Sequence, residues 1–141
     1  MLKCMVLLAE DFEDAREVYR IYLEMSGFAV SDVPCGDRVL ALALELQPDV
    51  VVVDLGLPDL DGLSVMAQLR AHPLTAHLPV VILSAHAYVE DETRSLQQGA
   101  AAFLRKPCAP DVLAATLRRV SESCARKQAE KGPGGQPAVT L

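Results

Sequence analysis

The chain switches repeatedly between two hydrophobic periods. Cys4–Ala9 is a short unbroken apolar run. After it, Val18, Ile21, Tyr22 and Met25 recur at the i, i+3, i+4, i+7 spacing of one helix face, and Gly27 stops that helix. Phe28–Val33 alternates roughly as a strand does. Leu40, Ala43 and Leu44 share one face of a second helix, which ends before Pro48 because a proline ring disfavours helical geometry in the residue before it. Val50–Val53 is a third apolar run, Met66 and Leu69 mark a short third helix, and Pro79–Leu83 is a fourth run. A polar helix spans about Tyr88 to Gln98 and stops at Gly99. Ala102–Leu104 is a brief fifth strand, and Leu113, Leu117, Val120 and Cys124 line one face of a last helix.

The pattern is a βα unit repeated five times. It predicts an α/β fold, a doubly wound five-stranded parallel sheet with helices on both faces and right-handed crossovers. Strands that are apolar on both sides suit a sheet covered on both sides. The domain is expected over residues 1–124. Residues 125–141 are expected to extend the last helix by a turn or two and then run into a disordered Gly/Pro-rich tail, with no second domain following.

Composition narrows this further. With 141 residues and 51% apolar content the chain buries a sizeable core, and with no Trp and 4% aromatics that core is aliphatic. The net charge of -6 argues against direct attraction to nucleic acid or an anionic membrane, though not against a basic protein surface. Cys4, Cys35, Cys108 and Cys124 have neither metal-ligand nor redox-pair spacing and are expected to be reduced thiols in a cytosolic protein. The start, MLKCMVLLAED, is too short and too soon acidic for a signal peptide, and no apolar run nears the ~20 residues of a membrane helix.

Open parallel sheets bind ligands at the carboxyl ends of their strands. There the first strand delivers Glu10 and Asp11, the third Asp54, the fourth Ser84, and the fifth Lys106 followed by Pro107. Three carboxylates on one rim repel, each pair at ~4 Å by about 4 kcal/mol at an effective dielectric near 20. Lys106 supplies one compensating charge, and a hard divalent cation such as Mg²⁺ suits the remainder. Taken singly, several groups have plainer readings. Asp14 reads as a helix N-terminal acid, Asp59 and Asp61 as turn or cap groups, Pro58 and Gly62 as turn residues, and His72 and His77 as solvated.

The acidic pair Glu10–Asp11, Asp54 with the following LGLPDLDG, Ser84–Ala85 and Lys106–Pro107 together resemble the receiver domain of two-component response regulators, over about residues 2–124. The resemblance implies the flavodoxin-like strand order 2-1-3-4-5. It implies that Asp54 accepts a phosphoryl group from a sensor histidine kinase or a histidine phosphotransfer protein. Mg²⁺ would be held by Asp11, by Glu10 through water, by Asp54 and by the Gly56 carbonyl. Lys106 would contact a phosphoryl oxygen, and Ser84 and Phe103 would be the switch pair. Ala85 would leave the phosphoryl group accessible, while Gly56 and His86 would tune its lifetime. The peptide before Pro107 would be cis. Glu10 stands where Asp is more usual and Ser84 where Thr is.

As a receiver, the chain is expected to be cytoplasmic, a monomer or weak dimer, and to catalyse only its own phosphorylation and dephosphorylation. It would signal to a downstream protein through the face formed by the fourth helix, fifth strand and last helix. The fourth helix, anchored chiefly by Val89 and Leu96, is expected to be weakly attached. Three alternatives stand beside this reading. One is a phosphatase with an aspartyl nucleophile, which Leu55–Gly56 disfavour because a second acid is usual two residues on. Another is a phosphorylation-independent pseudo-receiver, which the intact Asp–Ser–Lys set disfavours. The last is a receiver cut from a longer regulator, with the Gly/Pro-rich tail as a linker.

Overall fold

Four valines and an aspartate form the middle strand of a parallel sheet, and none of the five is exposed. The computed structural model describes residues 3–85 and 88–134. The elements are β1 (Met5–Ala9), α1 (Glu13–Met25), β2 (Ala29–Val33), α2 (Val39–Leu46), β3 (Val50–Asp54) and α3 (Gly62–Ala71), followed by β4 (Val80–Ser84), α4 (Val89–Gln97), β5 (Ala102–Arg105), α5 (Pro110–Val120) and α6 (Glu122–Gly134). The strand order is β2-β1-β3-β4-β5, all parallel, as the resemblance implies.

The side-chain period of a strand is two, so β3 serves two cores at once. Val51 and Val53 join Leu7, Ile82, Val65, Met66 and Leu69 on one side. Val50 and Val52 join Leu8, Leu23, Phe28, Leu83, Leu113 and Leu117 on the other. Burying each such aliphatic side chain is worth about 1.5–3 kcal/mol. The edges differ: β2 is half-buried and contains Ser31 and Asp32, and β5 ends exposed at Arg105. Register fixes the rim. Ala9 pairs with Val53, which puts Glu10 level with Asp54, and Ser84 pairs with Arg105, which puts Lys106 just beyond.

Four expectations need correction. First, the α1 stripe Val18, Ile21, Tyr22 and Met25 faces solvent, and the buried residues of the helix are Tyr19 and Leu23. The helix is apolar around much of its girth, and the core takes the face through Ala15, Tyr19 and Leu23. Second, the expected α4 anchors Val89 and Leu96 are exposed; Ser95 is the buried residue of that helix, with its hydroxyl donating to the Asp91 carbonyl at 2.7 Å. Third, the last helix is not continuous to Cys124. It breaks at Ser121, which has extended backbone and whose Oγ accepts from the Cys124 N–H at 3.1 Å, an N-cap arrangement that starts α6. Fourth, Cys4 and Cys124 are joined by a disulfide across 120 positions, while Cys35 and Cys108 are free. Local spacing cannot reveal a pair that only the fold brings together. The expected disordered tail falls largely on residues 135–141, outside those described.

One carboxylate organises the end of the sheet remote from the rim. Asp49 accepts from the Met5 N–H at 2.8 Å, from Lys127 Nζ at 2.9 and 3.0 Å, and from the Ser123 hydroxyl. Burial pushes the Asp49 carboxyl up, but the Met5, Ser123 and Lys127 bonds outweigh it and hold the group below its ordinary 3.8. A lowered folded-state pKa gives stability that is present above the unfolded value and lost as pH falls through the folded one. Wild type should therefore exceed Asp49→Asn in urea stability near pH 6, with the gap closing on acidification below pH 3.8. A gap that does not change with pH would refute this assignment.

Candidate functional site

Strand ends place the acids, and one lysine bridges them. Lys106 Nζ donates to Glu10 Oε1 at 2.5 Å and to Asp54 Oδ2 at 2.6 Å. The other Glu10 oxygen accepts from the Phe12 N–H at 3.0 Å, and Asp54 Oδ1 accepts from the Gly56 N–H at 2.9 Å. Glu10 is fully buried and Asp54 is 6% exposed. Asp11 is exposed, and its carboxylate lies within 4.8 Å of those of Glu10 and Asp54.

The local chain explains this geometry. Apolar β1 and β3 are clamped in the sheet, so the first polar residue after each emerges at a fixed height. The turn after β3 closes tightly. A Cβ on Gly62 would lie 2.9 Å from Leu55 Cα and 3.0 Å from the Asp54 carbonyl oxygen, so only glycine lets α3 begin there. Gly62 N–H also donates to the Leu55 carbonyl at 3.0 Å. Asp61 caps α3 by accepting from the Ser64 N–H at 2.9 Å. Asp59 accepts from the N–H groups of Gly36 and Asp37, both at 2.9 Å, and so ties this turn to the β2–α2 connection. The turn and cap readings of Asp59 and Asp61 match these contacts.

Lys106 is positioned by its neighbours. Its N–H donates to the Ser84 carbonyl at 2.8 Å, and the Lys106–Pro107 peptide is cis. The next turn is pinned by the Tyr19 hydroxyl, which donates to the Cys108 carbonyl at 3.0 Å. Arg16 donates to the Glu10 carbonyl at 2.9 Å and pairs with Asp32 at 3.1 Å. Sequence reading missed both Tyr19 and Arg16. The Ala15–Tyr19–Leu23 spacing of four holds the signal that would have identified Tyr19 as inward-facing.

Electrostatics follow from the same contacts. Burial raises the Glu10 carboxyl above its ordinary 4.5; the Lys106 and Phe12 bonds oppose this and the Asp54 charge adds to it. Burial pulls Lys106 down, but its bonds to Asp54 and Glu10 prevail and raise it. Counting Glu10, Asp11 and Asp54 as anions against the Lys106 cation leaves the cluster at 3 − 1 = 2 negative charges. That deficit and the all-oxygen donor set fit one hard divalent cation.

The remaining candidates are distributed around this cluster. Ser84 is 1% exposed at the end of β4, Ala85 and Gly56 are exposed, and His86 lies outside the described residues. Phe103 is half-buried against the α2–α3 core, with the Arg105 guanidinium 5.8 Å from its ring centroid. Phe12 next to the cluster is exposed, and Val18, Ile21, Tyr22 and Met25 make an exposed apolar face along α1, with Met25 82% exposed. Among the described residues no helix is long and apolar enough to cross a membrane.

The arrangement has counterparts. Residues 6–118 match the family model of the response regulator receiver domain. The chain is 34% identical over 80% of its length to the DNA-binding dual master transcriptional regulator RpaA of Synechocystis sp., covering 47% of that protein. It is 37% identical over 96% of its length to the transcriptional regulatory protein PrrA of Mycobacterium tuberculosis, covering 56% of it. The chain thus spans about half the length of the curated relatives it matches. Among solved structures, the chemotaxis response regulator CheY4 of Vibrio cholerae superposes with a TM-score of 0.79 at 26% identity, covering 84% of this chain and 99% of that one.

Proposed function

The chain belongs to the response regulator receiver domain family of two-component systems, and from that premise we propose that Asp54 is its phosphoacceptor. The observation behind this reading is the contact of Lys106 Nζ with both Glu10 and Asp54, which sets a cation against the Asp54 carboxylate at the carboxyl end of β3. Asp54 attacks phosphorus on a phosphohistidine. An O–P bond forms and the N–P bond breaks, and the imidazole leaves neutral after taking a proton from solvent, giving an acyl phosphate. Phosphoryl transfer asks chiefly for positioning and charge neutralisation. Lys106 neutralises, and the valine strand positions.

Receiver domains bind Mg²⁺ at acidic residues, and here Asp11, Glu10, Asp54 and the Gly56 carbonyl would hold it. The bound ion supplies positive charge to the phosphoryl oxygens. Ser84 bonds the new phosphoryl group, and Phe103 follows into the space the hydroxyl leaves. Ala85 keeps the group accessible, and Gly56 and His86 set its lifetime. Shifting a 1:99 mixture of states to 99:1 takes roughly 5.5 kcal/mol, part of which charge-assisted bonds from Lys106 and Ser84 supply. The exposed apolar face of α1, together with exposed Phe12 next to the site, is the docking surface for the kinase or phosphotransfer partner. Signal leaves by α4, β5 and α5 to a downstream protein, with the protein cytoplasmic and monomeric or weakly dimeric. A second reading, the receiver half of a longer transcriptional regulator, is favoured by the half-length match to such proteins.

The test is incubation with Mg²⁺ and acetyl phosphate, followed by intact mass and peptide mapping. One phosphoryl group on Asp54 is expected. Continuous phosphate release at high turnover would instead indicate a phosphatase, and no adduct together with no Mg²⁺ binding a pseudo-receiver.

A further inference from the structure

We infer that Cys4 and Cys124 form a reversible thiol–disulfide latch that sets how firmly α6 is seated against the end of the sheet opposite Asp54. The inference does not depend on the phosphoacceptor reading. Among the described residues of α6, Cys124 is the only fully buried side chain; Glu122, Ala125 and Arg126 are exposed, and Ser123, Lys127 and Gln128 are half-buried. With one fully buried side chain, the stretch 122–128 gains little from burial. Its other ties are polar and converge on Asp49, through Ser123, Lys127 and the Ser121 hydroxyl on the Asp49 carbonyl at 3.3 Å. The cross-link therefore adds a covalent tie to polar contacts that converge on one residue, Asp49.

The Cα separation of the pair suits a disulfide rather than a metal site. The Cα atoms are 4.8 Å apart, inside the usual disulfide range. Asp49, the third ligand-bearing side chain nearby, is already committed to Met5, Ser123 and Lys127. Both cysteines are 0% exposed, so exchange requires α6 to lift. That gating makes the pair respond to the thiol–disulfide pool only as fast as the helix opens. α6 also walls a groove of about 700 Å³ with Gln47, Leu74 and His77, so its release opens that groove.

The oxidant is a low-molecular-weight disulfide. A thiolate of the pair attacks one of its sulfurs, forming a mixed disulfide and expelling one small thiolate. The second cysteine attacks the mixed disulfide, forming the Cys4–Cys124 bond and expelling the other. Two protein thiols are oxidised, one small disulfide is reduced to two thiols, and the protons pass to the leaving thiolates.

The full chain is equilibrated with oxidised or with reduced glutathione, quenched in acid, alkylated in denaturant and mapped. The oxidised protein is expected to have Cys4 and Cys124 linked to each other, with only Cys35 and Cys108 left to react, and the reduced protein four reactive thiols. Amide exchange over residues 122–128 should then be about tenfold or more faster in the reduced protein, with β3 unchanged. Cys124→Ser, and independently Cys4→Ala, should show the fast rate in both buffers, whereas Cys35→Ser should keep the difference. A Cys4–Cys124 pair that stays reduced in oxidised glutathione, or an α6 exchange rate indifferent to the redox state, would overturn the proposal.

Discussion

Replacing Lys106 with alanine is expected to destabilise the metal-free protein by about 3 kcal/mol, the lower end of the cost of breaking a buried ion pair from one side. Lys106 lies 2.5 Å from Glu10 and 2.6 Å from Asp54, and those carboxyl side chains are 0% and 9% exposed. Without the ammonium they face each other with no compensating charge. Lys106 itself is partly open to solvent, which is why the lower figure applies. Mg²⁺ should restore more stability to the variant than to wild type, because the variant cluster carries one more uncompensated charge. Phosphoryl uptake should fall by about 10²–10³, the usual loss when one preorganised donor is removed from a charge-stabilising site. Urea unfolding with and without Mg²⁺ reads the first effect and acetyl phosphate kinetics the second. Unchanged stability of the metal-free variant would mean that the bridge is solvated and the three groups are not coupled.

Asp54→Asn separates chemistry from folding in the opposite way. The amide has no nucleophilic oxygen, so uptake should fall by at least about 10³-fold, to background. Yet Asn keeps the shape, its carbonyl oxygen can still accept from Gly56 N–H, and Lys106 keeps Glu10. Stability should therefore stay within about 1 kcal/mol of wild type, the net scale of one exchanged hydrogen bond. The Mg²⁺-induced rise in stability should shrink, since one of three carboxylates is gone. A variant that still takes up phosphate at the wild-type rate would move the acceptor elsewhere.

The rim was legible in the sequence because its cause is local and strong. A buried strand must be apolar, so the residue at which the valine run gives way to Asp54 marks the sheet's edge, and parallel register then aligns it with Glu10. α1 was misread for an equally physical reason. Apolar residues at Ala15, Val18, Tyr19, Ile21, Tyr22, Leu23 and Met25 satisfy helical spacing on two adjacent faces, and only packing chooses between them. The Ser121 hydroxyl bonds the Asp49 carbonyl some 70 positions away, and Cys4 and Cys124 are 120 positions apart, so no window along the chain contains these partners. The site contacts of Tyr19 and Arg16 escaped notice because the Cys108 and Glu10 carbonyls they bind are main chain, and the Arg16–Asp32 pair forms only once α1 lies beside β2.

α4 reaches β5 through an exposed ion pair, Glu92 with Arg105 at 2.7 Å, while its apolar residues Val89 and Leu96 point to solvent. Such a contact weakens with dissolved salt, since the screening length shrinks from about 30 Å at 0.01 M to about 8 Å at 0.15 M. Raising the ionic strength is therefore expected to loosen this contact by at most the ~1 kcal/mol that an exposed ion pair is worth. A helix seated by aliphatic contacts would have no comparable sensitivity, so the surrounding electrolyte bears on how α4 meets β5.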